Sequence, residues 1–383
     1  MALPLSYNVR NVRNRWQVTL LAISGIALVV AVFTVLMSMS EGFAMALRTT
    51  GRPDNAMIVQ RGSASELTSW IPLDQRQMIV VRDAEGHPLA SPEDVVVTMK
   101  PKKDGEPTNI TVRGVSPRAF AVRSGITIVQ GRTFTPGLYE VIVGEKIANR
   151  VQGLDIGSSV KLQKHEWTVV GTFTSQGGAF ESEIWGDAEV MSVDFGRTGG
   201  SNAMSVRLKP GADVAALDRW IRSNPQMQLQ AVSERKYYDD QAGPLAKILR
   251  QLATFVAIIM GVGAVFGAMN TMYAIVAART REIGTLRALG FSRRAILFSF
   301  VLESVTLALA GGAIGCLIAF PMNGYSTGTG QTQSFSEIAF AFRITPAIVT
   351  TALVFAVVMG VIGGLLPAFR AARLPITSAL REA

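Results

Sequence analysis

The sequence predicts a membrane α-helical protein with four transmembrane helices and a large α+β extracytoplasmic domain between the first and second spans. Of its 383 residues, 49% are hydrophobic and 17% are charged, whereas soluble chains carry about 25% charged residues. The mean hydropathy is +0.30. Four apolar runs are each long enough to cross a hydrocarbon core of about 30 Å. The stretch between the first two runs is as polar as a soluble domain.

These runs divide the chain into nine segments. The first run is longer than the apolar core of about 7–15 residues in a secretory signal, so it is predicted to be an uncleaved span. In the 41–244 segment, short alternating strand patterns and helix patterns predict an α+β domain of two subdomains. The predicted segments are a cytoplasmic interfacial helix at 1–17, spans at 18–40, 245–278 (with a stalk), 295–320 and 346–369, the domain at 41–244, a cytoplasmic loop at 279–294, a short periplasmic loop at 321–345 and a cytoplasmic tail at 370–383.

The distribution of arginine predicts the orientation. Outside the 41–244 segment, most arginines lie beside only one end of each span: Arg10, Arg13, Arg15, Arg279, Arg281, Arg287, Arg293, Arg294, Arg370, Arg373 and Arg381. The loop between the third and fourth spans contains only Arg343. By the positive-inside rule, both termini and the 279–294 loop are cytoplasmic. The net charge of +9 is then explained by topology and contact with anionic membrane lipid rather than by nucleic-acid binding.

The sequence contains no motif that predicts catalysis or metal binding. A single cysteine, Cys316, excludes an intramolecular disulfide and a cysteine-based zinc site. His87 and His165 are the only histidines, and neither belongs to a HExxH pattern. Gly-x-Ser-x-Gly and phosphate-binding Gly-x-x-x-x-Gly-Lys-[Ser/Thr] motifs are also absent. We therefore predict a protein that is not an enzyme and that holds no cofactor or metal of its own.

The cytoplasmic loop between the second and third spans is the most informative segment. Residues 281–289 are predicted to form a short helix in which Ile283, Leu286 and Leu289 recur at steps of three. Gly290 suits the left-handed position that ends a helix, and Ser292 suits the cap of the next one. Such an element either docks in the groove of a cytoplasmic partner or anchors the loop to lipid. Physical reasoning alone leaves both interpretations open.

Two features inside the predicted spans have alternative interpretations. Gly263 with Gly267, and Gly311 with Gly315, have the four-residue spacing that permits close helix packing, in a dimer or within one chain. Glu303 is an acid within the third span. It either marks a functional path through the membrane or makes a hydrogen bond to a neighbouring helix, and we favour the second interpretation.

Residues 278–296 read ARTREIGTLRALGFSRRAI. This stretch resembles the coupling helix of the type VII ABC transporter permeases, which include the macrolide exporter and lipoprotein-releasing permeases. Weaker resemblances support it at Val143–Ala148 with Gly157 and Val169–Gly171, and at Leu366–Ala368 with Arg370–Arg373 and Ala379–Arg381. Together they extend over nearly the whole chain, most weakly at residues 60–110.

The resemblance implies a permease that dimerises, more often as a homodimer than as a heterodimer, in the bacterial inner membrane. It implies a cytoplasmic ABC ATPase partner, which holds ATP and Mg²⁺ and which here would be a separate subunit, since this sequence has no fused ATPase domain. A periplasmic adaptor and an outer-membrane channel are further partners in such systems. The residues that match the ATPase-contacting coupling helix are Arg279, Arg281, Glu282, Ile283, Thr285, Leu286, Arg287, Leu289 and Gly290.

The function implied is mechanotransmission. ATP-driven motion passes to the periplasmic domain, which exports or extracts a drug, lipid, glycolipid or lipoprotein from the periplasm or the outer leaflet. The alternative is a regulator that transmits ATPase motion to cell-wall hydrolases without transport. The related division permease has a smaller outer domain than this chain, which argues against that alternative. A membrane-anchored enzyme is a third alternative that no residue constellation supports.

Overall fold

The computed structural model describes residues 16–83, 86, 89–209, 211–330 and 336–375, without the side chains of 16–18 and 330. The predicted interfacial helix at 1–17 lies almost entirely outside these ranges. The α-helices are α1 Trp16–Thr50, α2 Leu73–Gln77, α3 Ala119–Val122, α4 Glu145–Ala148, α5 Ala188–Asp194, α6 Val214–Ser223, α7 Glu234–Ala278, α8 Thr280–Ala288, α9 Arg293–Ala319 and α10 Pro346–Ala372.

Fourteen strands occur in the described ranges. They are β1 Asn55–Gln60, β2 Ile71–Pro72, β3 Ala90–Pro101, β4 Pro107–Val115, β5 Thr127–Gly131, β6 Glu140–Gly144, β7 Ser159–Lys161, β8 Glu166–Thr174, β9 Glu183–Asp187, β10 Gly200–Ser201, β11 Ala203–Arg207, β12 Leu229–Ser233, β13 Ser326–Gly330 and β14 Glu337–Ala341. Single 3₁₀ turns lie at Glu66–Thr68, Ala179–Ser182 and Phe320–Met322.

The chain separates into two compact units. The helical unit comprises residues 1–41, 247–325 and 342–383, and the sheet unit comprises 42–246 and 326–341. Four helices of the described chain are long and apolar enough to cross a membrane: α1, α7, α9 with the turn that follows it, and α10. This agrees with the predicted fold class of four spans and a large inserted domain.

In the helical unit, packing depends on small residues. Ile26, Val30 and Phe33 of α1 form a buried cluster with residues of the other three long helices, Ala257, Ala308 and Ala356 among them. Alanine at these positions allows helix axes to approach closely, which favours van der Waals contact in lipid. A second cluster, described with the site below, lies at the end of the unit that contains α8.

In the sheet unit, ten strands form one mixed sheet in the order β12-β1-β11-β3-β4-β9-β6-β8-β5, with β7 paired to β8. Most neighbours are antiparallel, but β4 pairs with β9 and β6 with β8 in parallel. Two separate hydrophobic clusters cover this sheet, one around Trp167 and Ile184 and the other around Ile58 and Leu229.

Two helices extend beyond their predicted bounds. The first was expected to end at residue 40 but continues to Thr50, because Phe43 and Leu47 are buried at 0% and 1% exposure in the sheet unit. The second long helix, with its stalk, was expected to begin at residue 245 but begins at Glu234. Its extra turns are held by buried side-chain contacts that are stronger than the local cost of an internal proline.

Residues 321–345 were predicted to be a short periplasmic loop, with no secondary structure specified. Within this segment β13 and β14 form an antiparallel hairpin, with Thr327 opposite Phe340 and Thr329 opposite Ile338. Residues 326–341 belong to the sheet unit. The hairpin is hard to predict from the sequence, because Gly and Thr dominate one of its strands.

Candidate coupling site

A short helix, α8, connects the long helices α7 and α9, as predicted. It spans Thr280–Ala288, with Arg279 before it and Leu289 after it. Gly290 ends the segment with a φ of +94°, a conformation in which a side chain would be strained. Ser292 then begins α9 by accepting a hydrogen bond from the Ala295 amide at 3.2 Å. The local sequence thus determines both ends of the turn.

Arg279 is buried at the junction of three helices. Its Nη1 lies 2.9 Å from Oε2 of Glu303 on α9, and its Nε lies 3.1 Å from Oε2 of Glu282 on α8. The guanidinium also stands over the Phe300 ring, 5.0 Å from the centroid. Only 7% of Arg279 is exposed. A buried charge needs such partners because removing it from water costs several kcal/mol.

Arg287 connects α8 to a different long helix. Its Nη1 donates to the carbonyl of Ala372 at 3.2 Å. Ala372 is the last residue of α10, where carbonyl groups lack helical partners and carry the negative end of the helix dipole. Arg287 therefore caps α10 while it holds α8 in place.

The prediction of one apolar ridge through Ile283, Leu286 and Leu289 is not confirmed by the structure. Ile283 is 1% exposed and belongs to a buried cluster, whereas Leu289 is 71% exposed; Leu286 is intermediate. At 3.6 residues per turn, two steps of three place the last residue about 120° from the first. The cluster consists of Met272, Ile275, Val276, Ile283, Ile296, Phe300, Ala368, Ala371 and Ala372.

The sequence-predicted contact residues are therefore divided between two faces. Arg279, Ile283 and Gly284 are buried within this chain. Arg279 and Ile283 were among the predicted contact residues, but their side chains do not reach the surface. The exposed face contains Arg281, Glu282, Thr285, Leu289 and Gly290. This face has the i, i+4, i+8 spacing of one helical surface through Arg281, Thr285 and Leu289.

The two predicted glycine pairs differ in their surroundings. A Cβ on Gly311 would lie 2.9 Å from the Ile23 carbonyl oxygen, and one on Gly315 would lie 2.6 Å from the Ala27 carbonyl oxygen. Both glycines therefore permit contact between α9 and α1. Gly263 and Gly267 have no atom within 4 Å of such a Cβ. They line a groove of about 420 Å³ between α1 and α7.

A third glycine pair was missed although the same spacing reveals it. A Cβ on Gly360 would lie 2.6 Å from Ala308 Cβ, and one on Gly364 would lie 2.5 Å from Ser304 Cβ. Ser304 Oγ also donates to the Gly360 carbonyl at 2.7 Å. Glycine therefore brings α10 against α9, which are the helices attached to α8 through Arg287 and Arg279.

A buried ion-pair network at the start of α7 was also missed. Arg113 contacts three carboxylates at 2.7–2.8 Å, those of Glu66, Glu93 and Glu183. Arg123 contacts Glu93 at 2.8 Å and Glu234, the first residue of α7, at 3.2 Å. No sequence signal connects these six residues, because they come from segments far apart in the chain.

Glu234 joins this network to the backbone around it. Its Oε2 accepts from the Arg52 amide at 3.1 Å and from Asn55 Nδ2 at 3.0 Å. Burial raises the pKa of nearby Glu66, against the opposing charge of Arg113, while Glu93 and Glu183 raise it further. The first turn of α7 is thus held by several charge-assisted bonds inside the sheet unit.

Comparison with known proteins gives two family matches. Residues 19–224 match the MacB-like periplasmic core domain, and residues 254–376 match the FtsX-like permease C-terminal domain. The two matches lie on either side of the start of the second span, and α8 falls within the second of them.

Two relatives and one solved structure are similar to parts of this chain. An uncharacterized ABC transporter permease, YknZ of Bacillus subtilis, is 28% identical over 74% of this chain and 73% of its own length. The macrolide export ATP-binding/permease protein MacB of Brucella abortus is 27% identical over 58% of this chain, which spans only 34% of that relative. The crystal structure of the periplasmic region of MacB from Actinobacillus actinomycetemcomitans covers 50% of this chain and 92% of its own, at 12% identity and a TM-score of 0.36.

Proposed function

Because the chain belongs to the family of ABC transporter permeases with a MacB-like periplasmic core domain and an FtsX-like C-terminal domain, we propose that it transmits ATP-driven motion across the inner membrane. A separate cytoplasmic ATPase, which binds ATP and Mg²⁺, drives it. The observation that carries the proposal is the attachment of α8 to two long helices through Arg279 and Arg287. An element held in this way cannot move without moving α9 and α10.

The exposed face of α8 is the proposed contact with the ATPase. Leu289 is 71% exposed and is flanked by the exposed residues Arg281, Thr285 and Gly290. One apolar anchor surrounded by polar and charged groups is the usual composition of a protein–protein contact. The buried residues Arg279 and Ile283 act within the permease and transfer displacement from α8 to α9.

The second long helix carries this motion to the sheet unit. It has 45 residues, which at 1.5 Å per residue is about 68 Å, roughly twice the hydrocarbon thickness. Its first turn is fixed by Glu234 in the buried network, and Arg48 at the end of α1 pairs with Asp239 of α7 at 3.1 Å. A stiff helix fixed at both ends transmits displacement instead of absorbing it.

The proposed orientation follows from the arginine distribution. Both termini and α8 lie in the cytoplasm and the sheet unit lies in the periplasm. The residues near α8 support this side, since Arg281, Arg293 and Arg294 are all exposed, and anionic lipid and the positive-inside rule both favour exposed cations at the cytoplasmic face.

Dimerisation is proposed through one face of α7. Its exposed apolar residues recur at alternating steps of four and three: Ile248, Leu252, Phe255, Ile259, Val262 and Phe266, each 50–65% exposed. This is the heptad seam of a left-handed helix pair. A second copy of this chain supplies an identical stripe, so the spacing favours a homodimer.

For substrate, we propose export or extraction of a drug, lipid, glycolipid or lipoprotein from the periplasm or the outer leaflet. The basis is relatedness alone: the name of the matched relative from Brucella abortus refers to macrolide export. A periplasmic adaptor and an outer-membrane channel are included in the proposal as partners. Regulation of cell-wall hydrolases without transport is the alternative, and substrate-dependent ATPase activity of the purified complex would distinguish the two.

The variant Leu289→Asp tests the α8 contact. It should weaken binding of the ATPase by about tenfold or more, because an unpaired charge in the interface costs several kcal/mol. Affinity is measured between full-length permease in nanodiscs and the purified ATPase. Val193→Asp, at an apolar residue that is 58% exposed in the sheet unit, is the matched control. Normal binding by Leu289→Asp would show that this face is not the contact.

A further inference from the structure

The hairpin β13–β14 is built into the sheet unit, although its residues lie between the third and fourth spans. Ile338, Ala339 and Phe340 are 5%, 1% and 0% exposed. The Ala339 amide donates to Ser182 Oγ at 2.8 Å. The edge of the Phe340 ring meets Phe43 at 5.7 Å and 84°. A loop that only connected two helices would not need this extent of burial.

Glu337 fixes the hairpin electrostatically. Its carboxylate lies 2.9 Å from Lys102 Nζ and 2.5 Å from Arg150 Nη2. The Thr108 hydroxyl donates to it as well. The three side chains are largely buried, with exposures of 16% for Glu337, 24% for Lys102 and 27% for Arg150. At this burial the bonds are stronger than an ordinary surface ion pair.

Two glycines make room for this arrangement. A Cβ on Gly328 of β13 would overlap the Glu337 carboxylate and the Arg150 guanidinium, and a Cβ on Gly42 of α1 would overlap the Ala341 carbonyl oxygen.

Burial disfavours ionisation of Glu337, but the hydrogen bonds from Thr108 and Lys102 and the charge of Arg150 lower its pKa below the ordinary value. Glu337 is therefore an anion at neutral pH.

No linker residues separate the end of the hairpin from the helical unit. Within the helical unit, the Phe342 amide donates to the Tyr325 carbonyl at 3.0 Å, and the Arg343 amide donates to the Ser38 carbonyl at 3.1 Å. Ala341 belongs to the sheet unit and Phe342, the next residue, to the helical unit. Consecutive Cα atoms are about 3.8 Å apart, so displacement of the residues beside α10 pulls directly on the hairpin.

We propose that the β13–β14 hairpin is a second force-bearing connection, pinned by Glu337 to Lys102, Arg150 and Thr108, through which the third and fourth spans act on the sheet unit. The inference rests on the proposed mechanotransmission. A helix pair made of α1 and α7 alone leaves the sheet unit free to rotate about one attachment. A second attachment, reached from α9 and α10, removes that freedom and makes the displacement directional.

The test uses the full chain with its ATPase in nanodiscs. Glu337→Gln removes the charge while keeping the shape, and the double variant Lys102→Gln/Arg150→Gln breaks the same contacts from the other side. Glu166→Gln is the matched control, because Glu166 is exposed and its carboxylate accepts from Ser159 at another strand. Two measurements are made on each protein: hydrogen exchange of the strand residues 326–330 and 337–341, and the ATP-dependent distance between spin labels at Gln163→Cys and Ala347→Cys with Cys316 replaced by Ala.

Both pin-breaking proteins should show about tenfold faster hydrogen exchange in the hairpin, as expected for loss of charge-assisted bonds. Both should also lose half or more of the ATP-dependent distance change, while the control keeps both values. Unchanged exchange would show that Glu337 does not pin the hairpin. Faster exchange with a normal distance change would show that the hairpin bears no force, and either result overturns the inference. If the unmodified protein shows no ATP-dependent change, the proposed function fails first and the inference fails with it.

Discussion

Arg279 is a residue whose predicted role differs from its place in the structure. It lies directly after the second span in the stretch 278–296, and the family resemblance assigns it to the ATPase contact. In the structure it is buried and pairs with Glu303, 24 positions further along the chain. The interpretation favoured for Glu303 was a hydrogen bond to a neighbouring helix, and its partner Arg279 is the residue that joins α7 to α8. At the residue scale, the ion pair is a connection inside the permease.

A charge-removal series tests this pair. Arg279→Gln should destabilise the protein by about 3–5 kcal/mol, because it leaves the Glu303 carboxylate buried without its partner. The double variant Arg279→Gln/Glu303→Gln should recover most of that stability. Neither variant should stimulate the ATPase as the unmodified protein does, because the Arg279–Glu303 ion pair no longer holds α8 to α9. Thermal unfolding in detergent and ATPase activity of the complex are the measurements.

The exposed Arg281 provides the control for this series. Arg281→Gln removes a cation from the same loop but leaves no carboxylate buried, so its unfolding temperature should stay near that of the unmodified protein. If Arg279→Gln is as stable as Arg281→Gln, the buried pair contributes little and another contact must hold α8 to α9.

At the scale of elements, the sequence predicts what is local. The four long helices, the turn at Gly290 and the cap at Ser292 follow from composition and from residues next to each other in the chain. The positions that were missed depend on tertiary contacts. Ile283 is buried because α10 lies against it, and α7 begins at Glu234 because Arg123 and Asn55 hold that residue. The β13–β14 hairpin contacts the sheet unit through Glu337, whose partners Lys102, Thr108 and Arg150 are far away in the chain.

The proposed force transmission requires α7 to be continuous. Inserting Gly-Gly-Ser-Gly after Ile248 replaces a stiff connection by a flexible one, so substrate movement should be abolished. Binding of the ATPase should remain, because α8 is beyond the insertion and its contacts are unchanged. Transport assays and co-purification measure the two properties. The same insertion after Gly211, an exposed position between β11 and α6, should leave both unchanged. Retained transport by the Ile248 insertion would contradict the mechanical account.

At the scale of the whole molecule, orientation decides what every other feature can do. The face of α8 can meet an ATPase only in the cytoplasm, and the sheet unit can meet extracytoplasmic substrate only on the opposite side. The arginine distribution predicts which side each lies on, since translocation of loops rich in Lys and Arg is disfavoured. The four long helices require the segments between them to alternate across the bilayer.

Cysteine labelling tests this assignment in a Cys316→Ala background. Asp104→Cys, in the exposed turn between β3 and β4, and Tyr325→Cys, 61% exposed after the third span, should react with an impermeant maleimide added to intact spheroplasts. Glu337, another residue of that loop, is unsuitable because its carboxylate is bound to Lys102 and Arg150. Thr285→Cys, on the exposed face of α8, should react only after the membrane is opened. The turn at Asp104 and the loop at Tyr325 lie in different parts of the chain. Labelling of Thr285→Cys from outside, together with protection of Asp104→Cys and Tyr325→Cys, would show that the orientation is the reverse of the prediction. Labelling of only one outer site would instead mean that the third and fourth helices do not form a spanning pair.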